Sequence, residues 1–292
     1  MDPRQLQMHQ AMLADRPRLA AYDRALAGLA HGAVVADVGA GVLALSLLAL
    51  RHGAEHVYAV EADPATAAVA ARVAESNDLK GRLTVVRGDA RTVRLPERAD
   101  VVVSEMMGNL GPEEQMMEVL GEFARHNLAA GGTVVPSRLV TKLAAVQFDG
   151  EGWGLWDDDF HGFRLDAVPE SAAPAAQLHF FQRPPTLLSE PAEVADQRPA
   201  RGQAAPPRGR TLTITRPGRL HAVIGYFTAT LTEDTALSNL PSYPGCNWAV
   251  WVWPLRHTDV APGDRLRVVP RPAGDVREVT GWRLDCGLRK GS

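Results

Sequence analysis

The alternation of valine-containing apolar runs with helical patterns in the first half of the chain is the feature that most restricts its fold. Short apolar runs predict strands over residues 33–38, 56–61, 83–87, 100–104 and 133–135. Apolar residues at helical spacing predict helices over residues 42–52, 64–77 and 112–128. Strands and helices that follow one another in this order fold into a parallel sheet with helices on its faces.

The second half has a different pattern. Segments in which apolar and polar residues alternate, separated by Pro and Gly turns, predict strands over residues 220–231, 247–255, 265–270 and 280–286. A proline-dense stretch, residues 169–207, precedes them and is interpreted as an extended arm or a linker. We therefore expect an α/β domain followed by an antiparallel β domain.

Composition and charge exclude several classes of protein. The longest apolar stretch, residues 38–50, is too short to span a bilayer. The first residues lack the pattern of a secretory signal, so we expect a cytoplasmic protein without a membrane partner. The 31 Lys and Arg are scattered and are outnumbered by 34 Asp and Glu, which argues against nucleic acid as a partner. Two cysteines, and nine histidines without paired ligand spacing, predict no metal site.

The turn at the end of the first predicted strand indicates a cofactor site. Asp37, Gly39 and Gly41 occupy this turn, and Glu61 ends the next strand, 20 residues after Gly41. In doubly wound folds such glycines let a cofactor approach the backbone, and the acid accepts hydrogen bonds from ribose hydroxyls. Similar glycines also occur in tight turns that bind nothing, so the turn alone leaves both interpretations open.

A further acidic position strengthens the cofactor interpretation. Asp89 and Ala90 follow the third predicted strand. Together with Asp37 and Glu61 they have the spacing with which S-adenosyl-L-methionine methyltransferases hold the methionine, ribose and adenine of their cofactor. A simple turn cap is the alternative for Asp89. Leu43 stands where such enzymes usually have a third glycine, and its side chain is expected to crowd the helix start against the strand.

The most specific signal is the segment SEMMGNLGPEEQM, residues 104–116. Glu105 ends a strand at the sheet edge where ligands bind in such folds, and Glu114 lies nine residues later, near the start of a helix. The intervening loop can aim both carboxylates into one pocket, where they fit a guanidinium, a planar cation with five donors. The alternative is that Glu113 and Glu114 are first-turn acids favoured by the helix dipole.

Two carboxylates also suit a methyl transfer to guanidinium. The methyl donor is a sulfonium cation and the acceptor is a second cation, so anions must offset their repulsion. Guanidinium has almost no available lone pair, since its pKa lies above about 12. The carboxylates are expected to concentrate its charge on other nitrogens, which frees one to attack, and one carboxylate can accept the proton. Glu105 and Glu114 are therefore the predicted catalytic residues.

These motifs resemble the protein arginine N-methyltransferase family, whose double-glutamate loop is similar to residues 104–116. MHQAMLADRPRLAAY, residues 8–22, is similar to the family's cofactor-covering helices, and YPGCNWAVWVW, residues 243–253, is similar to its THW loop. The resemblance assigns His9 and Met12 to the cofactor, together with Arg18 on the cofactor carboxylate. It also places Ser104 beside the cofactor, Met116 by the reacting centre and Trp248 beside the acceptor.

The same resemblance implies a domain organisation. N-terminal helices over residues 1–30 cover the cofactor, a Rossmann-like class I methyltransferase domain occupies residues 31–136, and a β-barrel-like substrate domain occupies residues 137–292. Family members are usually dimers through an arm in the second domain, and residues 168–196 stand where that arm is expected. The implied cofactor is S-adenosyl-L-methionine, and the implied assembly is a homodimer.

The chain departs from the family on the acceptor side. Asn247 replaces the histidine of the THW loop, which removes a possible partner of Asp15, and Met106 and Asn109 replace aromatic residues. We expect these four residues around the substrate. The leading hypothesis is an N-methyltransferase acting on a guanidino group, in a peptide arginine or in a small molecule such as free arginine. Methylation of another nucleophile and a catalytically silent cofactor-binding scaffold stay open as alternatives.

Overall fold

Two systems of β-sheet divide the chain, and the five α-helices whose bounds are given below accompany the first. The computed structural model describes residues 2–111, 115–150, 160–165, 167–168, 176–181, 183–202, 207–241, 248–271 and 283–291. The helices longer than three residues in these ranges are α1 (Pro3–Ala14), α2 (Arg16–Ala27), α3 (Ala44–Arg51), α4 (Pro64–Ser76) and α5 (Met116–Asn127). None of these helices combines the length and the apolar character that crossing a bilayer would require.

The first sheet is parallel, and its topology creates a ligand edge. Its strands are β1 (Val34–Val38), β2 (His56–Glu61), β3 (Leu83–Arg87), β4 (Ala99–Ser104) and β5 (Leu128–Val135). Their spatial order is β3-β2-β1-β4-β5, so the direction of winding reverses between β1 and β4. All five residues of β1 are buried, as expected where helices cover both faces of a sheet. In such sheets ligands bind outside the carboxyl ends of the strands at the reversal.

Helix α2 is anchored to this edge. Asp15 caps the helix by accepting a hydrogen bond from the backbone N–H of Arg18 at 3.2 Å. Tyr22 and Leu26 are completely buried, and the Tyr22 hydroxyl donates to the carbonyl of Ser104 at 2.9 Å. Since Ser104 ends β4, this hydrogen bond holds α2 beside the carboxyl end of that strand.

The second domain is antiparallel. Its strands are β6 (Arg138–Gln147), β7 (Gln177–His179), β8 (Thr186–Leu187), β9 (Ala192–Gln197), β10 (Arg210–Thr213), β11 (Gly218–Thr232), β12 (Thr235–Ser238), β13 (Val250–Val260), β14 (Arg265–Arg271) and β15 (Arg283–Arg289). In the larger sheet, β7-β13-β11-β6-β8 are neighbours, with β9 paired to β6 and β12 to β11. The smaller sheet has the order β10-β14-β15.

The predicted fold class is confirmed, because a parallel α/β domain precedes an antiparallel β domain. The domain boundaries stay predictions, although β6 begins at Arg138, close to the expected boundary. Within the predicted arm, β7 pairs with β13, and both β8 and β9 pair with β6. Residues 169–175 and 182 lie outside the described residues. A dimerisation role for this segment therefore stays a prediction.

One hydrophobic core crosses the boundary between the domains. Phe227, Leu237 and Trp248 of the β domain are buried in the same cluster as Leu26 of α2 and Val35 of β1. The two domains thus share buried apolar surface, whose removal from water is the dominant stabilising contribution in folding.

Candidate active site

A cleft of about 300 Å³ lies at the carboxyl edge of the parallel sheet. Its walls come from α1, the loop after β1, the end of β2, the loop after β4 and the segment that precedes β13. Ten of the residues predicted from sequence line it: His9, Met12, Arg18, Gly39, Gly41, Glu61, Glu105, Met106, Asn109 and Trp248. The cleft therefore joins the predicted cofactor residues to the predicted acceptor residues.

The glycine loop after β1 brings the backbone close to the cleft. Gly39 and Gly41 have φ values of +74° and +53°. A Cβ on Gly41 would lie 2.9 Å from His9 Cε1, and a Cβ on Gly39 would lie 3.0 Å from the Met106 sulfur. The left-handed backbone therefore favours glycine at both positions, and a Cβ would displace the side chain of Met106 or His9.

Leu43 adopts the left-handed conformation that a third glycine would take. Its φ is +75°, and it immediately precedes α3. Its side chain is completely buried in the core of the first domain. Left-handed backbone costs an L-residue about 1–2 kcal/mol, whereas burial of a leucine side chain stabilises by roughly 1.5–3 kcal/mol. The turn thus keeps its conformation, and the core accommodates the side chain that was expected to crowd the helix.

Glu61 braces the glycine loop from the end of β2. Its Oε2 accepts a hydrogen bond from the backbone N–H of Gly41 at 2.9 Å, and its Oε1 accepts one from that of Asp63 at 2.8 Å. A carboxylate offers about four acceptor positions. Glu61 therefore retains the capacity to accept hydrogen bonds from two hydroxyl groups, such as those of a ribose.

Asp37 lies beneath the loop and does not line the cleft. It is 1% exposed, and its Oδ2 accepts hydrogen bonds from the backbone N–H and the hydroxyl of Ser46, at 2.9 and 2.7 Å. Burial raises the pKa of Asp37 to about 6. This carboxylate fixes the beginning of α3, and its predicted contact with the cofactor stays a prediction.

Arg18 and Glu105 form the charged centre of the cleft. Arg18 Nη1 lies 2.7 Å from Glu105 Oε2, and the two side chains are 3% and 14% exposed. Arg18 Nε lies 3.2 Å from Asp15 Oδ2, and the guanidinium carbon lies 3.4 Å from the ring centroid of Trp248. Glu105 Oε1 also accepts a hydrogen bond from the backbone N–H of Met107 at 3.1 Å. Two carboxylates and an indole face thus hold the guanidinium in one orientation.

Arg18 also offers a donor to an anionic ligand. Its Nη2 is buried and has no hydrogen-bond partner among the described residues. An unsatisfied buried donor is costly, and a ligand carboxylate would satisfy this one. Together with the glycine loop and Glu61, this guanidinium fits the carboxylate and the ribose of S-adenosyl-L-methionine.

Helix α1 closes one side of the cleft through His9 and Met12. His9 is the buried residue of this helix. Burial lowers the pKa of His9, so its imidazole is neutral at pH 7 where it packs against Gly41. The thioethers of Met12 and Met106 provide pliable apolar walls.

Several predicted residues do not line the cleft. Asp89 forms an exposed ion pair with Arg91 at 2.6 Å, and Ala90 is buried next to it. Ser104 is buried, and its hydroxyl donates to the end of β1 at 2.7 Å. Met116 is buried in the core at the start of α5. The structure therefore does not bring the predicted adenine contacts to the cleft.

Two predicted site residues, Glu114 and Asn247, lie outside the described residues. The pairing of Glu105 with Glu114 therefore stays a prediction from the sequence. Glu105 itself stands at the end of β4, on the ligand edge, as the sequence predicts.

Hydrogen bonds that the sequence analysis missed tie the loop after β4 to the β domain. Trp248 Nε1 donates to the carbonyl of Met107, and Thr141 Oγ1 donates to that of Leu110, both at 2.8 Å. Leu110 packs against Gly225, where a Cβ would lie 2.8 Å from the leucine side chain. The loop that begins with Glu105 is thus held by residues of the second domain.

Two asparagines complete this attachment. Asn239 Nδ2 donates to the carbonyls of Asn109 and Ala249, both at 2.8 Å, and its Oδ1 accepts from the backbone N–H of Phe227 at 2.9 Å. Asn109 Oδ1 in turn accepts from the backbone N–H of Ala249 at 2.9 Å. Although Asn109 lines the cleft, its side-chain oxygen thus has a structural role. No local motif marks Asn239, which lies 130 residues from Asn109 along the chain.

Comparison with known proteins agrees with this architecture. Residues 35–132 match a family model described as a methyltransferase domain. The chain is 27% identical over 274 residues to protein arginine N-methyltransferase 1 of Chlamydomonas reinhardtii, covering 88% of this chain and 77% of that one. It is 34% identical over 168 residues to the Schizosaccharomyces pombe protein arginine N-methyltransferase 1, covering 55% and 49% of the two chains. The histone-arginine methyltransferase CARMER of Culex quinquefasciatus is 34% identical over 191 residues, which are 61% of this chain and 31% of the relative. The chain thus spans about half or less of the last two relatives.

Two solved structures share the whole fold. A chain of the Trypanosoma brucei PRMT1 enzyme–prozyme heterotetrameric complex with AdoHcy superposes with a TM-score of 0.76 at 19% identity, covering 97% of this chain and 93% of that one. Protein arginine methyltransferase 10 of Arabidopsis thaliana gives a TM-score of 0.78 at 22% identity with the same coverage. Three findings agree. The chain has a methyltransferase domain, this domain precedes an antiparallel β domain, and sequence similarity extends along most of the chain. This chain is similar to protein arginine N-methyltransferases in sequence along most of its length, and it shares their fold.

Proposed function

We propose that this protein transfers a methyl group from S-adenosyl-L-methionine to a guanidino nitrogen of arginine. The observation that carries the proposal is that Glu105 shares one cleft with the glycine loop and Glu61. The arginine methyltransferases among its relatives support the same reaction. When bound, the cofactor supplies an electrophilic methyl group on a sulfonium cation.

The residues of the cleft divide into a cofactor side and an acceptor side. Arg18 binds the cofactor carboxylate through its buried Nη2, and Glu61 accepts hydrogen bonds from the ribose. Glu105 faces the acceptor, where its negative charge attracts a guanidinium and offsets the repulsion between two cations. The indole of Trp248 covers the guanidinium of Arg18 and keeps that cation directed at Glu105.

Glu105 also has the geometry of a positioned base. Its Oε1 is oriented by the backbone N–H of Met107 and its Oε2 by Arg18. Proton transfer by a positioned side chain typically contributes about 10²–10⁴-fold to a rate. We propose that Glu105 orients the acceptor together with Glu114, and that one of these two carboxylates accepts the proton released on methyl transfer.

The Glu105→Gln variant tests this proposal. The substitution keeps the size of the side chain and removes its charge, so we expect kcat to fall by about 10²-fold or more. Glu118→Gln is the matched control, because Glu118 is exposed on the first turn of α5 and its substitution changes the net charge equally. Methylated products of free arginine, small guanidines and arginine-rich peptides are measured by mass spectrometry.

Binding of S-adenosylhomocysteine, measured by calorimetry, separates the outcomes. Retained binding with lost turnover in Glu105→Gln supports a catalytic carboxylate, whereas full turnover in this variant contradicts the proposal. If the wild-type protein binds S-adenosylhomocysteine and methylates another nucleophile, the guanidino assignment is wrong. If the wild-type protein shows no turnover and does not bind S-adenosylhomocysteine, the result favours a catalytically silent relative that acts only as a scaffold.

We propose that the acceptor is arginine, either in a polypeptide or as the free amino acid. We also propose that the protein assembles as a homodimer. The relatives' names support a polypeptide acceptor. The product pattern across the substrate panel distinguishes the two acceptors, and sedimentation at micromolar concentration tests the homodimer. Cytoplasmic location stays a prediction from the sequence.

A further inference from the structure

The smaller sheet of the second domain gathers arginines on one exposed face. Along the central strand β14, Arg265, Arg267 and Arg271 are exposed, whereas Leu266 and Val268 between them are buried. This alternation follows from the period of two in a strand, which sends successive side chains to opposite faces. β14 therefore presents three arginines to solvent.

The register adds two more arginines from β15. Arg289 lies directly opposite Arg265, and Arg283 lies directly opposite Arg271. Residues that are directly opposite share a face, and like charges in this position repel one another. Five arginines thus lie on two neighbouring strands about 5 Å apart, over roughly 20 Å of sheet, from the usual spacing of strands and residues.

Carboxylates on this face do not balance the arginines. Asp285 pairs with Arg271 at 2.8 Å, and both side chains are more than 60% exposed. The described part of the chain provides no ion pair for Arg265, Arg267, Arg283 or Arg289. Residues 207–292 contain twelve Lys and Arg against seven Asp and Glu, a net charge of +5, so residues 1–206 carry −8 of the total of −3. The positive charge is therefore local to this end of the molecule.

No described residue covers this face at Gly287, and the face continues to a sheet edge. A Cβ on Gly287, opposite Arg267, would meet no described atom within 4 Å. Within the described ranges β15 pairs only with β14, so its other side presents backbone N–H and C=O groups along the edge. Arginines on an edge strand also hinder aggregation, but that role does not explain Arg265 and Arg267 in the central strand.

We propose that this face binds an acidic, extended polypeptide segment, which adds along the edge of β15. Carboxylates pair bidentately with guanidinium groups, and a polypeptide backbone can continue the ladder of an exposed edge. A nucleic acid lacks that backbone, and the net charge of −8 on the remainder of the chain opposes a long polyanion. The segment thus offsets the repulsion between arginines that face one another across the strands.

Fluorescence anisotropy of the full chain with a labelled 12-residue peptide of alternating Glu and Thr tests the proposal. We expect salt-dependent binding that weakens at least fivefold in the double variant Arg267→Gln/Arg289→Gln. The control Arg24→Gln/Arg72→Gln changes the net charge equally at exposed helical positions and should bind as the wild type does. Asp285→Asn removes a carboxylate from the face and should tighten binding.

A second peptide, N-methylated at the backbone nitrogen of every residue, has the same charge but cannot donate a backbone hydrogen bond to the edge of β15. We expect it to bind at least fivefold more weakly, and equal binding of both peptides would overturn the strand-addition geometry. Equal weakening in the arginine variant and its control would overturn the site. Tighter binding of an oligonucleotide of equal charge, lost in the same arginine variant, would assign the face to nucleic acid instead.

Discussion

At the scale of single residues, the cleft depends on buried charges whose partners are short-range and specific. Arg18 is held by Asp15, Glu105 and the face of Trp248, and Asp37 is held by Ser46. The cost of such burial is visible at Asp37, since desolvation raises the pKa of its carboxyl to about 6. Stability and pH are therefore coupled at the base of the glycine loop.

The sign of this coupling gives a prediction for Asp37→Asn. The folded state holds the Asp37 proton more tightly than the unfolded state, whose pKa is near the ordinary 3.8. The resulting stabilisation is complete below about pH 4 and is lost as pH rises through about 6. The free energy of unfolding of the wild type should thus fall relative to Asp37→Asn by about 2–3 kcal/mol across this range. Urea unfolding of both proteins at pH 4 to 7 measures the difference, and a constant difference would contradict the raised pKa.

At the scale of elements, the loop over residues 105–111 belongs to two domains at once. It continues from β4 of the parallel sheet, yet its backbone carbonyls accept hydrogen bonds from Trp248, Thr141 and Asn239 of the β domain. The position of Glu105 relative to the cleft therefore depends on residues far away in the sequence. Asn239 is central to this attachment because it is completely buried and uses both side-chain donors and its acceptor.

Asn239→Ala should therefore reduce catalysis more than cofactor binding. We expect a loss of about 2–4 kcal/mol in stability, because buried partners lose their hydrogen bonds, and a fall of at least tenfold in kcat when the loop shifts. The affinity for S-adenosylhomocysteine should change by less than threefold, because Asn239 does not line the cleft. The kcat and the affinity for S-adenosylhomocysteine are measured well below the unfolding temperature.

Asn127→Ala is the matched control for this variant. Asn127 is also a buried asparagine with three hydrogen bonds, but it ends α5 and joins that helix to residues 93 and 95. The Asn127→Ala variant should lose a similar free energy of unfolding and keep the kcat of the wild type. Equal losses of kcat in the two variants would show that Asn239 acts through general stability and not through the loop.

At the scale of the whole molecule, the shared core predicts that both domains unfold together. Helices α1 to α5 end by Asn127, and residues 167–168 are the only described α-helical residues after it, whereas all six tryptophans follow residue 150. Circular dichroism at the helical band thus reports the first domain, and tryptophan fluorescence reports the second. Because the cluster that contains Trp248 also contains Leu26 and Val35, we expect the two urea transitions to coincide within error. Two separate midpoints would show that the domains unfold independently.

The sequence by itself determined the order of strands and helices in the parallel domain, the fold class, the glycine turn and the place of Glu105 at the end of β4, but it did not predict β6 to β10 or β12. These features follow from periodicity and turn chemistry, which act between neighbours along the chain. Small shifts arose at the ends of elements: α3 begins at Ala44 because the turn continues through Leu43 in a left-handed conformation. Six of the ten predicted residues in the cleft end or follow β1, β2 or β4, and they meet because the carboxyl ends of parallel strands share one edge.

Only the tertiary structure decided which side chains meet across long separations. Ser104 is buried and donates to the carbonyl of Val38, 66 residues away, instead of lining the cleft. The contact between Asn109 and Asn239 spans 130 residues, and the arginine face arises from the pairing of β14 with β15. Such contacts depend on domain packing and strand register, and a register shift of one residue would send every arginine of β15 to the other face. No local sequence pattern specifies domain packing or strand register. The contacts that stabilise them form only when distant segments have already come together.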